Sequence, residues 1–322
     1  MNILTHRDEK VNDFFENDQN FIKWTTKKKQ NLVIADKMID AGFRKRGFLM
    51  RDCGTFIQYK ICPDCHKSFI SSANLCRDRL CPTCSWRLSL KRFAEMCTVM
   101  NSLNGYLLGC AGFLTLTVAN CKPENLRYTI QKMNEDWNRM LASRKIKSLM
   151  LGWGKSLEIT YNKEKNTFHP HFHIIILFDN FVEEGEINKM FRKAWDRSCR
   201  LPYEPITDFR LIDGAKESTA TDNDKIFSAI LETFKYSVKD KELEDMSVQT
   251  FRDFVNAIHN IRFVSFGGII KDARKALDFK DDDADDENEL ELDREKCTCG
   301  ADLLKIICQW SFTEQQYKMF DL

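Results

Sequence analysis

The sequence predicts an α+β fold that combines a mixed domain built on an antiparallel sheet, a small zinc-binding module and a helical N-terminal arm. Three observations lead to this prediction. Strand-like and helix-like hydrophobic patterns alternate from Gly105 onward. Two Cys-x2-Cys pairs lie close together in a stretch that has no long apolar period. The first 50 residues are basic and contain an apolar run of helical period that stops at Gly42.

The composition indicates a soluble globular chain and excludes several classes of protein. The chain has 322 residues, of which 43% are hydrophobic and 30% charged, so it can form one large or two ordinary domains. Its apolar stretches are shorter than the roughly 20 residues that cross a bilayer. Charged residues follow Met1 where a signal peptide would be apolar. We therefore expect a cytoplasmic protein without a membrane partner.

Charge is distributed unevenly along the chain. The formal net charge is +1, but segment 278–295 contains eleven acidic residues against Lys280 and Arg294. This segment alone carries a charge of −9, so the rest of the chain carries +10. A basic protein with an attached acidic segment is expected to meet a polyanion such as a nucleic acid.

The mixed domain shows the element order β-α-β-β-α-β-α. Strands are expected at 113–118, 156–161, 168–178 and 209–212, and helices from Pro123, over about 184–198 and over about 225–239. The polar turn at 162–166 makes the second and third strands a hairpin. A split β-α-β unit with a central hairpin is the ferredoxin-like arrangement, an antiparallel sheet with helices on one face.

Composition shifts divide the chain into five segments. They are a basic helical arm (1–50), a zinc-binding module (51–95), the mixed domain (96–279), an acidic linker (280–296) and a C-terminal tail (297–322). The tail contains Cys297 and Cys299, which lack a clear second pair of cysteines. A second metal site in the tail is therefore only weakly indicated.

The cysteines of the module predict a zinc site. Thirteen cysteines in a chain without an export signal favour metal ligation over a disulfide framework. Two Cys-x2-Cys pairs separated by fifteen residues have the spacing of a four-thiolate zinc site, whose ion would supply the folding energy that a small module lacks. The predicted ligands are Cys62, Cys65, Cys81 and Cys84. Cys76 could replace one of them, and His66 is a further candidate.

Basic residues surround these cysteines. Between residues 60 and 92 there are seven basic residues against two acidic ones, an excess of positive charge that is expected of a surface that contacts phosphates. The candidate DNA-binding residues are Arg77, Arg79, Arg87, Lys91 and Arg92. The alternative interpretation is an ordinary solvated surface.

Three histidines alternate on the third strand of the mixed domain. Because alternate residues of a strand share a face, His169, His171 and His173 can all project to one side. Glu158 on the preceding strand can reach the same face across the hairpin. Two imidazoles and a carboxylate with open positions form a candidate site for a divalent cation.

A second candidate group lies on the helix predicted over 225–239. Glu232 and Tyr236 are four residues apart and would share a helical face, with Lys235 and Lys239 beside them. A tyrosine is a poor nucleophile until a metal or cation stabilises its anion. The pair alone is a weak signal, because short motifs occur by chance.

Together these motifs resemble one protein family. In order along the chain they are Phe-Leu-Thr-Leu-Thr-Val at 113–118, Ser-Leu-Glu-Ile-Thr-Tyr-Asn at 156–162, His-Pro-His-Phe-His-Ile at 169–174 and Glu-Thr-Phe-Lys-Tyr-Ser-Val-Lys at 232–239. The cysteine-rich run at 76–87 and Phe-Gly-Gly-Ile at 266–269 also fit. The chain over roughly 50–275 is similar to the rolling-circle replication initiators of small bacterial plasmids, a branch of the HUH endonuclease superfamily.

The resemblance implies a set of catalytic roles. His171 and His173 would be the metal-binding pair, Tyr236 the nucleophile and Glu232 the base that activates water at termination. Lys239, at the end of the same motif, is included among the catalytic candidates. The reaction would be origin-specific nicking of single-stranded DNA through a 5′-phosphotyrosyl intermediate that leaves a 3′-hydroxyl primer.

The same resemblance implies cofactors and partners. Mg²⁺ or Mn²⁺ would serve catalysis and Zn²⁺ the module. The partners would be plasmid origin DNA, both the single-stranded nick site and the flanking duplex, and a host helicase and polymerase. Two alternatives remain open: another HUH enzyme, such as a transposase or relaxase, and a zinc-module DNA-binding regulator without catalysis.

Overall fold

The computed structural model describes residues 19–65, 67–103, 111–212, 220–235, 238–279 and 295–321. In these ranges the helices are α1 Gln19–Asp40, α2 Arg44–Asp52, α3 Pro82–Ser102, α4 Leu126–Leu141, α5 Arg144–Leu149, α6 Glu184–Cys199, α7 Ala220–Phe234, α8 Asp240–Asp245, α9 Val248–Ala257 and α10 Gly268–Ala276. The strands are β1 Phe56–Ile61, β2 Ser68–Ala73, β3 Ala111–Thr117, β4 Met150–Asn162, β5 Thr167–Phe178, β6 Thr207–Ile212, β7 Val264–Gly267, β8 Leu304–Ser311 and β9 Gln316–Asp321. No helix among the described residues is long and apolar enough to cross a membrane.

The chain forms two compact units, and the predicted α+β class is confirmed. The first unit contains residues 1–85 and 284–322, and the second contains residues 86–283. Each unit has its own antiparallel sheet.

The sheet of the first unit joins strands from both ends of the sequence. Its order is β2-β1-β8-β9, and β1 pairs with β2 on one side and with β8 on the other. Opposite residues such as Ile57 and Cys308 are fully buried, so this pairing belongs to the core of the unit. The C-terminal tail therefore supplies a hairpin to the sheet that contains β1 and β2, and the loop after β1 carries Cys62 and Cys65.

Helix α1 ends where the sequence indicates. Gly42 has a left-handed φ of 93°, and the N–H of Phe43 donates to the carbonyl of Met38 at 3.0 Å. Glycine adopts this conformation without strain, which makes it a good helix terminator. The apolar run includes the fully buried Ile34 and Met38.

The sheet of the second unit has the order β6-β3-β5-β4-β7, with every neighbouring pair antiparallel. β4 and β5 form the predicted hairpin, which is confirmed, and their register places Glu158 opposite His171 and Ser156 opposite His173. Both strands are buried over most of their length. A strand that is buried on both sides needs a covering layer on each face.

Helices cover both faces of this sheet, and the expectation of helices on one face only is wrong. On one face, the Trp195 ring of α6 contacts Phe172, and Trp137 of α4 lies 5.7 Å from the Lys155 ammonium. On the other face, Ser156 donates a hydrogen bond to the Thr233 carbonyl of α7. The alternating polar residues of β4 and β5 are therefore enclosed beneath α7.

Two consecutive glycines let β7 and α10 pack against β4. Gly268 has a φ of 57°, and a Cβ there would lie 2.0 Å from the carbonyl oxygen of Leu151. A Cβ on Gly267 would lie 2.4 Å from the ring of Trp153. Only glycine allows this close approach together with the left-handed turn.

Candidate active site and thiol clusters

The β4–β5 hairpin brings two histidines and a carboxylate together. Nε2 of His173 lies 2.8 Å and Nε2 of His171 lies 3.2 Å from the same oxygen, Oε2 of Glu158. These side chains belong to residues that are only 4–8% exposed. Two imidazole nitrogens and a carboxylate oxygen directed at one point are a donor set that fits a divalent metal ion.

Neighbouring groups fix the orientation of both imidazole rings. Nδ1 of His171 lies 3.1 Å from the carbonyl oxygen of His169, and Nδ1 of His173 lies 3.3 Å from the hydroxyl of Thr115. Phe113 stacks on the ring of His173 at 5.4 Å. Contacts of this kind turn the Nε2 atoms toward Glu158, as in metal sites where the second ring nitrogen is held by an outer partner.

The electrostatics keep Glu158 ionised. Burial alone would raise the pKa of its carboxyl group. The hydrogen bonds from His171 and His173 and the ammonium of Lys235 outweigh burial, so the pKa lies well below its usual value. The site therefore presents a negative oxygen in an enclosed position.

Helix α7 and the residue that follows it add a carboxylate and a cation to this group. Nζ of Lys235 lies 3.1 Å from Oε2 of Glu158 and 2.5 Å from Oε1 of Glu232. Oε1 of Glu232 is 4.0 Å from Nε2 of His173, and its side chain is 47% exposed. Burial would lower the pKa of Lys235, but the two carboxylates outweigh burial and the net direction is upward. The predicted Glu232 thus lies at the open side of the histidine site.

Helix α7 is shorter than predicted. It ends at Phe234, and Lys239 caps the next helix, α8, whose first turn holds Asp240. An acidic first turn favours a new helix start at this point, which the apolar period does not reveal. The continuous helix expected through residue 239 is wrong, and Tyr236 lies outside the described residues.

Two other predicted site residues lie away from the convergent donor atoms. The Lys239 ammonium is 62% exposed and lies 4.0 Å from Glu242. Nδ1 of His169 lies 2.8 Å from the amide oxygen of Asn120. Lys235, which the sequence placed only beside the motif, is the lysine that contacts both carboxylates. On the predicted helix, Lys235 is three residues from Glu232, a spacing that places two side chains on the same face. That spacing was the signal in the sequence that could have identified it.

A first thiol cluster forms where α2, the loop after β2 and the start of α3 meet. Its members are Cys53, Cys76, Cys81 and Cys84. The sulfur of Cys84 lies 3.5 Å from that of Cys53 and 3.7 Å from that of Cys76. The Sγ of Cys81 lies 3.6 Å from that of Cys53. Four sulfurs at these separations could surround one ion.

A buried lysine lies beside the first thiol cluster. Lys28 is fully buried, and its ammonium donates to the carbonyl oxygens of Arg51 at 2.7 Å and Cys53 at 2.6 Å. Burial lowers its pKa, while the nearby thiols of Cys53 and Cys81 act in the opposite direction. A cation held here would offset part of the negative charge of four thiolates around a metal.

A second thiol cluster joins β1 to the C-terminal segment. Its members are Cys62, Cys65, Cys297 and Cys299. The sulfurs of Cys62 and Cys299 are 3.4 Å apart, as are those of Cys65 and Cys297. The two halves of the cluster lie more than 230 residues apart in sequence.

The single zinc set expected from the spacing is therefore wrong as a grouping. The pair Cys62 and Cys65 lies in one cluster, and the pair Cys81 and Cys84 lies in the other. Sequence spacing alone does not reveal that β8 pairs with β1 and brings the tail cysteines beside the first pair. Cys53 was not predicted at all, because it has no cysteine within motif distance. His66 lies outside the described residues.

The predicted DNA-binding residues are divided between the two units. In the first unit, Arg77 is exposed, and Arg79 is half-buried. Their loop is fastened by Asp78, whose carboxylate receives hydrogen bonds from Arg46 at 2.7 and 3.1 Å. In the second unit, three half-buried residues lie along α3: Arg87, Lys91 and Arg92.

Comparisons with known proteins agree with the motifs. The family model described as "Replication protein" matches residues 67–318. "Protein rep" of Bacillus amyloliquefaciens is 29% identical over 314 residues, which cover 89% of this chain and 91% of that protein. "Protein rep" of Streptococcus pneumoniae serotype 2 is 28% identical, covering 91% of each chain. "Protein rep" of a Bacillus species is 32% identical, covering 74% of this chain and 83% of the relative.

The chain belongs to the replication protein family. Its resemblance to plasmid replication initiators is thereby confirmed. No solved structure matches the chain significantly.

Proposed function

We propose that the protein is a rolling-circle replication initiator that nicks one strand of a plasmid origin through an HUH-type site. The observation that carries the proposal is the convergence of His171, His173 and Glu158 beneath α7. The family supports a role in replication. The donor set supports metal-dependent phosphoryl transfer.

The topology of the second unit supports this proposal. The first four strands of its sheet, taken in chain order, lie in the spatial order four, one, three, two. Helices α4 and α6 form the two crossovers and lie against the same face, as in a ferredoxin-like domain. The histidines point to the other face, where α7 lies.

The residues of the site divide the chemistry between them. A divalent ion held by His171, His173 and Glu158 would polarise the scissile phosphate. Tyr236 would attack the phosphorus in line, forming a 5′-phosphotyrosyl bond and releasing the 3′-hydroxyl. Lys235 would hold Glu232 in place through their 2.5 Å contact. Glu232 would then deprotonate the water that ends the reaction.

The first unit would supply DNA recognition. Zinc held by the first thiol cluster would fix the loop that presents Arg77 and Arg79. Basic side chains at such a surface contact phosphates of the duplex and position the protein. A host helicase and polymerase would then extend the exposed 3′-hydroxyl.

Mapping the covalent adduct tests the proposal. The full chain is incubated with Mn²⁺ and an oligonucleotide spanning the nick site of its own origin, and the DNA-linked peptide is sequenced. The adduct is expected on Tyr236 and should vanish in Tyr236→Phe but persist in Tyr128→Phe, whose side chain is exposed on α4. Glu232→Ala should still form the adduct and release it slowly.

The same experiment separates the alternatives. A DNA-binding regulator without catalysis would give no adduct at any metal concentration. A transposase or relaxase would form the adduct with its own recognition sequence and not with the nick site of this replication origin. Loss of the adduct in Glu232→Ala to the same degree as in Tyr236→Phe would assign the carboxylate to the first step.

A further inference from the structure

We propose that the second thiol cluster binds its own structural zinc ion, which joins the C-terminal hairpin to the N-terminal part of the first unit. The chain would then carry two structural zinc ions where the spacing of its Cys-x2-Cys pairs indicates one. The ligands are Cys62, Cys65, Cys297 and Cys299. This inference does not rest on the nicking activity.

The distances between the sulfurs fit a tetrahedral ion. A zinc–sulfur bond of about 2.3 Å places the corners of a tetrahedron roughly 3.8 Å apart. The sulfur of Cys62 is 3.4 Å from that of Cys299, and all four sulfurs lie within 4.8 Å of one another. A disulfide would need about 2.05 Å between two sulfurs, so these distances favour a common ion over two covalent bonds.

Backbone N–H groups are directed at the sulfurs from both turns. Cys62 accepts from the N–H groups of Cys65 and Asp64, and Cys297 accepts from the N–H of Cys299. Hydrogen bonds of this kind stabilise a thiolate, which is the form that binds zinc. A pair of thiols packed only as apolar side chains does not require them.

The cluster of four cysteines is partly exposed, as expected of a zinc site near the protein surface. Cys62 and Cys297 are buried, while Cys65 and Cys299 are exposed. The second pair lies in a short turn that the Lys296–Asp302 bridge closes, just before β8. Such a segment contributes little apolar core of its own, so an ion would supply much of its ordering energy.

The ion would close a very long chain segment. Cys65 and Cys297 are 232 residues apart, and Cys62 and Cys299 are 237 residues apart. The second unit lies between the two cysteine pairs in sequence. Bringing such distant residues together has an entropic cost that grows slowly with length. A metal bond across the closure would offset that cost and hold β8 beside β1.

Counting the metal tests the inference. The full chain, purified without added metal, is analysed for zinc and iron together with Cys297→Ser/Cys299→Ser, Cys76→Ser/Cys84→Ser and the control Cys121→Ser, which belongs to neither cluster. All are made in a His171→Ala background, so that zinc at the histidine site does not enter the count. We expect two zinc ions in the background and control and one in each double variant.

Alkylation in denaturant with a chelator, but without reductant, tests the oxidation state in the unsubstituted chain. All thirteen cysteines should react. Protected pairs would indicate disulfides and overturn the inference. A zinc content that is the same in Cys297→Ser/Cys299→Ser as in the background would also overturn it, as would iron in place of zinc. None of these outcomes depends on whether the protein forms the tyrosyl adduct.

Discussion

Two of the three alternating histidines differ from the third in what they contact. His171 and His173 direct Nε2 at Glu158, whereas His169 contacts Asn120. Alternation along the strand makes the three equivalent in the sequence. The contacts that distinguish them involve Asn120 and Thr115, which lie elsewhere in the chain.

If the proposed function is right, His171→Ala and His173→Ala should each lower the rate of metal-dependent cleavage by a factor of about 10² or more, because each removes one proposed metal ligand. His169→Ala should lose much less. The measurement is cleavage of a labelled single strand across a Mn²⁺ titration, with duplex binding measured in parallel. Binding that falls together with cleavage would instead indicate a structural role for the strand.

Lys155 is a buried cation on β4, on the face away from the histidines. Its ammonium donates to the amide oxygen of Asn134 at 2.6 Å and lies 3.9 Å from the ring centroid of Phe172. Burial lowers its pKa from 10.5 to about 7. The unfolded chain therefore binds a proton that the folded chain lacks between these two pH values.

Stability should consequently rise with pH above about 7, with a slope of up to about 1.4 kcal/mol per pH unit from this residue. Lys155→Met should flatten the profile between pH 7.5 and 9.5, as measured by urea unfolding. Lys163→Met, at a 67% exposed side chain, is the matched control and should leave the slope unchanged. An unchanged slope in Lys155→Met would show that its ring and amide partners keep the lysine charged in the fold.

At the scale of elements, the hydrophobic periodicity predicted the helices and strands that have one buried, apolar face. The buried residues of α4 recur at the predicted spacing and include Ile130, Met133 and Trp137. The β4–β5 hairpin follows from its polar turn. The end of α7 could not be predicted in the same way, because it depends on the start of α8 at Asp240.

The turn from β7 into α10 depends on one glycine. Gly268→Ala should destabilise the second unit by about 3 kcal/mol or more, since it combines a left-handed φ with a clash against the Leu151 backbone. Gly185→Ala is the control, because its new Cβ would meet only the flexible carboxylate of Glu183 at 3.2 Å. Thermal unfolding of both variants gives the comparison. Equal melting temperatures would mean that the backbone of β4 relaxes freely.

At the scale of the whole molecule, the sequence predicted the family and the convergence of His171, His173 and Glu158 better than the grouping of the cysteines. The histidine site forms within one hairpin, so local spacing was sufficient. The second thiol cluster depends on the pairing of β1 with β8, a contact between residues 243 to 253 positions apart that no local pattern encodes. Cys297 and Cys299 therefore lacked visible partners in the sequence.

The acidic segment 278–295 should weaken non-specific DNA binding by competing with phosphates for the basic surface. Replacing the acids at 281–283 and 285–287 with their amides removes six negative charges. Non-specific affinity should rise by about tenfold at 50 mM salt and converge with the parent near 300 mM, because salt screens the competition. Fluorescence anisotropy across a salt series measures the non-specific DNA affinity of the variant and the parent. A difference that is independent of salt would rule out an electrostatic cause.

The sheet of the first unit also has a consequence for synthesis on the ribosome. β1 and β2 emerge early, but β8 and β9 are made some 240 residues later. At about 5–20 residues per second, that interval lasts roughly 12–50 s. The second unit is contiguous and can fold during the wait, while the unpaired edge of β1 stays open. The first unit is therefore completed last, and a chain that terminates early would have a second unit without a finished first one.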